Sequence, residues 1–162
     1  MARLLSADSL ELSLPVAPDH ASASELTDWS ERRLKDWLKE KARRAQAARE
    51  QLDLAASNSP RERILAGALL GLVFEDVARS LLMIPPPSEL DSEPEIADVF
   101  REVLAKQAHP YLVHAHLAYQ ACAANALGVE TMVHWSDFCY ARREELPEQD
   151  ALDSVRVEVA SQ

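Results

Sequence analysis

The stretch from Ser59 to Pro87 constrains this chain more than any other. Ser59-Pro60-Arg61-Glu62 has the form of a capping box, with proline at the first helical position, where its missing N–H leaves nothing unsatisfied. Pro85-Pro86-Pro87 ends the helix, because a residue before proline is pushed out of the α region. Between these stops, Ile64 to Ile84 is apolar on nearly every face. That pattern predicts a central helix surrounded by others, with Leu69 and Leu72 in the core. Gly67 and Gly71, four residues apart, predict a close helix crossing that offsets a propensity cost of about 1 kcal/mol each.

The covering helices can be read on either side. Leu34, Leu38, Lys41, Ala45, Ala48, Leu52 and Ala55 form a three-four spaced stripe within a first helix from Ser24 to Ala56, with Trp29 and Trp37 near its start. Ser92-Glu93-Pro94-Glu95 reads as a second capping box opening a third helix. Its stripe is Ile96, Val99, Phe100, Val103, Leu104, Gln107, Tyr111, Ala115, Ala118 and Cys122, and Gly128 is suited to its C-terminus. Pro110 lies inside that helix and predicts a kink or break. A short fourth helix, Glu130 to Leu146, turns Met132, Trp135 and Cys139 inward.

Three glycines in 162 residues argue against sandwiches, barrels and dinucleotide-binding sheets, whose turns need glycine. The expected class is all-α, with four mostly antiparallel helices in a bundle and extended N- and C-terminal tails. We divide the chain into an extended segment 1–23, one helical domain 24–147 and an acidic tail 148–162. Leu10, Leu12 and Leu14 alternate with polar residues, as do Val155, Val157 and Val159. Each is a short strand signal, read either as a disordered tail or as a segment that pairs.

The formal charge of −10 argues against nucleic acid, which is bound through cationic contacts. Between Glu31 and Glu50, however, basic residues outnumber acidic ones by four, while Ser88–Glu102 and Glu144–Gln162 each carry an acidic surplus of five. Arg32, Lys35, Lys39 and Arg43 fall along one exposed face of the first helix, a candidate docking surface for an acidic protein or another copy of this chain. The same charges also suit a merely solvated face. No segment approaches the roughly 20 apolar residues of a membrane span, and the start lacks the apolar run of a secretory signal. The expectation is no membrane insertion and a cytoplasmic chain, or a periplasmic or envelope one if it is cut from a longer exported protein.

Chemistry-bearing residues are sparse. His109 and His116 share a helix face, His114 and His116 do not, and Glu130 and His134 stand four apart. The Glu-x-x-His pairs of a di-iron bundle and the spacing of zinc ligands are missing, so neither a metal nor another cofactor is expected. Glu75 and Asp76 form a polar island in the apolar second helix. They are read as a local ion pair with Arg79, or alternatively as carboxylates for acid–base work. Cys122 and Cys139 are either small buried hydrophobes or face one another across two helices.

Gly71-Leu72-Val73-Phe74-Glu75-Asp76-Val77-Ala78-Arg79-Ser80-Leu81-Leu82, with Ile84-Pro85-Pro86-Pro87-Ser88-Glu89-Leu90 after it, resembles a helical region of tetratricopeptide-repeat proteins of myxobacteria and related deltaproteobacteria. Glu93-Pro94-Glu95-Ile96, Pro110-Tyr111-Leu112 and Leu127-Gly128-Val129 continue the likeness. Ala115-His116-Leu117-Ala118-Tyr119-Gln120-Ala121-Cys122 is similar to the second helix of a repeat unit, with Cys122 in place of the usual alanine. No 34-residue period recurs, and the helices are longer than those of an ordinary unit. The resemblance implies a TPR-like, non-catalytic helical scaffold that binds other proteins. The competing expectation is a small bundle that binds a metal or acts as an enzyme through His109, His116, Glu75 or Asp76.

Overall fold

The computed structural model describes residues 12–146. Four helices account for most of them, and no strand occurs among them. Leu10, the alternating valines near the C-terminus and the acidic tail lie outside the described residues.

Helix α1 is built in three pieces: an opening turn Ala23–Asp28, a π-helical stretch Trp29–Leu34, and the long run Lys35–Ala56. Ser22 and Glu25 form a reciprocal capping box at its start, which lies at Ala23, one residue before the Ser24 read from the sequence. The π stretch has a consequence for packing. Eight residues of undisturbed α-helix overshoot two turns by about 80°, and the wider π turn takes that rotation back. Trp29 and Trp37 are thereby both buried, joined by Lys41, Ala45, Ala48 and Leu52 as the stripe predicts.

Helix α2, Pro60–Leu82, begins as expected: the Glu62 N–H donates to Ser59 Oγ at 3.2 Å, and Ser59 Oγ donates to the Glu62 carboxylate at 3.1 Å. Its core residues are Ile64, Ala66, Ala68, Val73, Phe74, Val77, Ala78 and Leu81. Leu69 and Leu72 are 39% and 38% exposed, which corrects their placement in the core. Arg61, Leu65, Leu69, Leu72, Asp76 and Arg79 follow one another at three-four spacing, and this edge of α2 is left uncovered or half-covered by the neighbouring helices.

A 3₁₀ turn, Ser88–Ser92, leads into helix α3, Pro94–Leu127. The second capping box does not form. Ser92 is spent in the 3₁₀ turn, where its hydroxyl donates to the Glu89 carbonyl, and Glu93 stands at the cap without a side-chain bond. The helix also runs unbroken through Pro110. The ring removes one hydrogen bond, but flanking packing through the buried Ala108 and Leu112 carries the helix past it. Only part of the expected stripe is inward: Leu104, Ala115, Ala118 and Cys122 are buried, whereas Ile96, Val99 and Val103 are exposed. The true inner line passes through Ala97, Leu104, Ala108, Leu112, Ala115, Tyr119, Cys122 and Ala126. A further 3₁₀ turn, Glu130–Met132, starts helix α4, Val133–Glu145.

Contacts between named pairs fix the directions. Along α2, Gly67, Gly71 and Phe74 meet Cys122, Tyr119 and Tyr111 of α3 in falling order, so the two helices are antiparallel. Lys41 meets Asp76, and Arg63 near the start of α2 donates to Ala56 at the end of α1, so this pair is antiparallel too. Segment 12–22 is extended without pairing as a strand, and Leu12 and Leu14 pack onto the core with Ala17 buried.

Two apolar clusters result. One joins α1, α2 and the first half of α3 through Trp37, Leu52, Val77, Leu81, Leu104 and Leu112. The other joins α2, the second half of α3 and α4 through Ile64, Phe74, Tyr119, Cys122, Met132 and Cys139.

Candidate functional site

Two features stand out as places where chemistry or recognition could occur: a buried polar knot on the α4 side, and a groove with an apolar wall on the α1 side.

The knot centres on Glu75, 8% exposed in the middle of α2. Arg79, one turn on, donates to its Oε1 at 2.5 Å, the pairing expected from spacing. Arg142 of α4 donates to the same oxygen, and the Tyr119 hydroxyl of α3 donates to Oε2 at 2.8 Å. A buried carboxylate is tolerable when such donors replace its water. Burial in the first place, and the Glu75 carboxylate in the second, push the Tyr119 phenol above its ordinary range. The bond to Glu75 likewise raises Arg142, which stays charged throughout the working pH range. Tyr119 fits because Gly71 has no side chain: a Cβ there would stand 2.4 Å from the ring. The knot therefore ties three helices together, with both carboxylate oxygens engaged and the phenol fully buried.

Asp76 points elsewhere. Its Oδ2 accepts from Lys41 Nζ at 2.7 Å, an ion pair between α1 and α2 whose lysine is 3% exposed. Successive helix positions are about 100° apart, and here they serve two different neighbours rather than one carboxylate pair. Lys41 reads only as a member of the α1 stripe, where a charge among apolar residues is the signal that a partner must reach it. Tyr119 and Arg142 were missed, since nothing near them in sequence marks a partner 44 or 67 residues away.

Cys122 and Cys139 are joined as a disulfide between α3 and α4, with Cα atoms 6.2 Å apart, so the facing alternative is the one realised. The histidines are dispersed. His114 lies against the Phe74 ring at 5.1 Å, His134 adjoins Trp135, and His109 and His116 are half-buried. Among the described residues no three His, Cys, Asp or Glu side chains gather as a metal-binding group.

The four candidate docking residues are all exposed on α1. Arg32 pairs with Asp28 at 2.9 Å, Lys39 reaches Asp36 at 3.8 Å, and Arg43 grips Glu40 through two bonds of 2.7 Å. Three of these four cations are thus partly neutralised within their own helix, and such exposed pairs are weak. Arg43 and then Arg44 hold the Glu40 carboxyl down to about 2.

Beside this face, a groove runs between α1 and α3 over α2. A cleft of about 250 Å³ at one position is walled by Leu38, Lys39 and Ala42 of α1 and by Gln107 and Tyr111 of α3. Another of about 260 Å³ lies between Leu52 and Ala56 of α1 and Ala118 and Ala121 of α3. On the outer side of α3 along this groove, Ile96, Val99, Val103 and Leu117 have side chains 48–58% exposed. Ile96, Val99 and Val103 thus present a short apolar strip at the start of α3, and the exposed Lys106, Gln107, Pro110 and His114 separate it from Leu117.

No protein-family model, curated protein or solved structure matches this chain. Among the described residues no helix is long and apolar enough to cross a membrane.

Proposed function

We propose that this protein is a non-catalytic helical interaction module, a scaffold subunit that receives a segment of another protein in the groove between α1 and α3. The observation that carries the reading is the run Ile96, Val99 and Val103, aliphatic side chains left half-exposed on successive turns at the start of α3. An amphipathic helix laid along this line would bury that strip as a fourth neighbour of α3. Arg32, Lys35, Lys39 and Arg43 stand at the rim of the same side, so an acidic segment suits the surface, from a different protein or from another copy of this acidic chain. The TPR-like resemblance points the same way, toward a scaffold that binds proteins.

The test is a pair of variants with separate readouts. Val99→Ser with Val103→Ser removes part of the apolar strip, and Lys39→Glu with Arg43→Glu reverses the rim. Both should keep the circular dichroism and melting temperature of the parent. Photo-crosslinked partners from the native organism should disappear with the first double variant, and their capture should turn salt-insensitive and slower with the second. An unchanged set of captured proteins in the valine variant would remove the groove from consideration. Stoichiometric iron or zinc in the purified protein would instead favour the metal-binding alternative.

A further inference from the structure

Helix α4 is the least self-sufficient part of the bundle. It has 13 residues, a length at which an isolated helix is marginal in water. Only Ser136 and Cys139 are fully buried along it, with Trp135 and Phe138 half-buried. Its further anchors are the Arg142 guanidinium on Glu75 and, at its C-terminal end, the partly buried Leu146. The disulfide joins Cys139 at its middle to Cys122 on α3, and both sulfurs' residues are fully buried. By contrast, α1 and α2 meet α3 through the long aliphatic cluster, which the α4 end reaches only through its partly buried cap residue Leu146 among the described residues.

We infer that the Cys122–Cys139 bond is a redox clamp on α4: oxidised, it holds the helix against α3, and reduced, it lets α4 undock as a unit while α1–α3 stay folded. The covalent step needs a dithiol reductant. One thiolate of the dithiol attacks a cysteine sulfur and forms a mixed disulfide, releasing the other cysteine as a thiolate that takes up a proton. The second dithiol sulfur then attacks the first, breaking the mixed disulfide and expelling the remaining cysteine as a thiolate that is protonated in turn, so the protein gains two electrons and two protons and the reagent leaves as a cyclic disulfide. The bond closes a loop 17 residues apart in sequence. Losing a closure of that size should shift the docking equilibrium of α4 by on the order of a hundredfold. It follows that the fourth helix is fully docked only where the surroundings favour disulfides. The inference does not rest on the proposed groove, which lies on the α1 side, although Cys122 also lines its second cleft.

Hydrogen exchange read by mass spectrometry on the full chain tests it, with and without dithiothreitol. The redox state is checked in parallel by counting maleimide-reactive thiols under denaturing conditions. Peptides from 133–145 should lose protection at least tenfold on reduction, while peptides from 64–81 should keep theirs. Cys122→Ala with Cys139→Ala should reproduce the reduced pattern without reductant. Three results would overturn the inference: air-exposed protein with two reactive thiols, unchanged protection of 133–145 after reduction, or simultaneous loss of protection in every helix.

Discussion

On the α1 side of the α2–α3 pair, a helix with a 22-residue main run supplies Trp37, Ala45, Ala48 and Leu52 to an aliphatic core. On the α4 side, a 13-residue helix faces the same pair with far fewer buried side chains, and a disulfide and a three-donor carboxylate accompany it. Area explains the difference. Burial stabilises in rough proportion to apolar surface removed from water, so a long stripe holds mainly by area, with the Lys41–Asp76 ion pair added to it. A short helix needs bonds of specific geometry, and those bonds in turn demand a specific register. Gly71 beneath the Tyr119 ring is one such demand, and no comparable close approach to a glycine occurs on the α1 side among the described residues.

The sharpest way to break this comparison is to cut the knot. Glu75→Ala leaves Arg79 and Tyr119 without their acceptor and Arg142 with only the exposed Glu145, and removing one partner of a buried pair costs about 3–5 kcal/mol. Urea denaturation should register that loss, and a value below about 1 kcal/mol would mean the knot is incidental to α4. The parent protein carries a second signature. Because the folded phenol of Tyr119 titrates above the unfolded value of about 10, its contribution is complete below pH 10 and is lost as pH rises through the raised value. Alkaline unfolding should therefore begin above pH 10, with no step attributable to this group at lower pH.

The α1 side answers to size rather than polarity. Leu52→Ala should cost about 2–5 kcal/mol, because Leu52 is 2% exposed in the aliphatic cluster. Leu69→Ala on the uncovered edge of α2 should cost less than about 1 kcal/mol, as expected for a surface site. Equal losses at the two leucines would mean that another surface covers this edge in solution.

The misplacement of Leu69 shows where sequence reading stops. The apolar run of α2, its capping box and its triple-proline stop are local, and they give the helix and its central position. Which edge stays open depends on how many neighbours arrive and at what angle, and that is decided by residues far along the chain. The same limit applies to α3. Ile96, Val99 and Val103 have the spacing of a core stripe, yet Ala97 and Ala108 take the inner positions beside the expected Leu104, because small residues let α3 approach α2 closely. On the candidate surface, Arg32, Lys35, Lys39 and Arg43 were legible from spacing, whereas the apolar line beside them became visible only once the inner face of α3 was known. The Glu75–Arg79 pair was legible because it is one turn long; Tyr119 and Arg142 were not.

Gly71 and Gly67 sharpen the comparison within a single helix. Gly71→Ala drives a Cβ into the fully buried Tyr119 ring and should cost about 1–3 kcal/mol by overpacking, despite the gain in helix propensity. At Gly67 the nearest atom is Cys122 Cβ at 3.2 Å, a tight but tolerable contact. There the propensity gain of about 1 kcal/mol and the crowding oppose each other, and the net change should stay within about 1 kcal/mol of zero. Thermal melts of the two variants under identical conditions give the ordering, and a Gly67→Ala variant less stable than Gly71→Ala would place the closest helix contact at the disulfide rather than at the phenol.

The smallest expected effect belongs to the exposed face of α1, where charge is abundant but little of it is buried. Glu40 accepts from both Arg43 and Arg44, and these bonds hold its carboxyl down to about 2. A depressed folded value means that its contribution is present above the unfolded carboxylate range near 4.3 and is lost only as pH falls toward 2. A ¹³C titration of the side-chain carboxyl should place its midpoint well below every solvated glutamate in the chain. Glu40→Gln should nevertheless leave the melting temperature at pH 7 nearly unchanged, since pairs in contact with water are screened and pay in side-chain order for what they gain in attraction. Its mark should appear between pH 2 and 4, where the parent and the variant converge. A large loss at neutral pH would mean that the Glu40–Arg43–Arg44 cluster is covered in solution, by a partner or by a second copy lying on the basic face, and the contrast between an α4 side rich in buried polar bonds and an α1 side held mainly by apolar area would then hold only for the isolated chain.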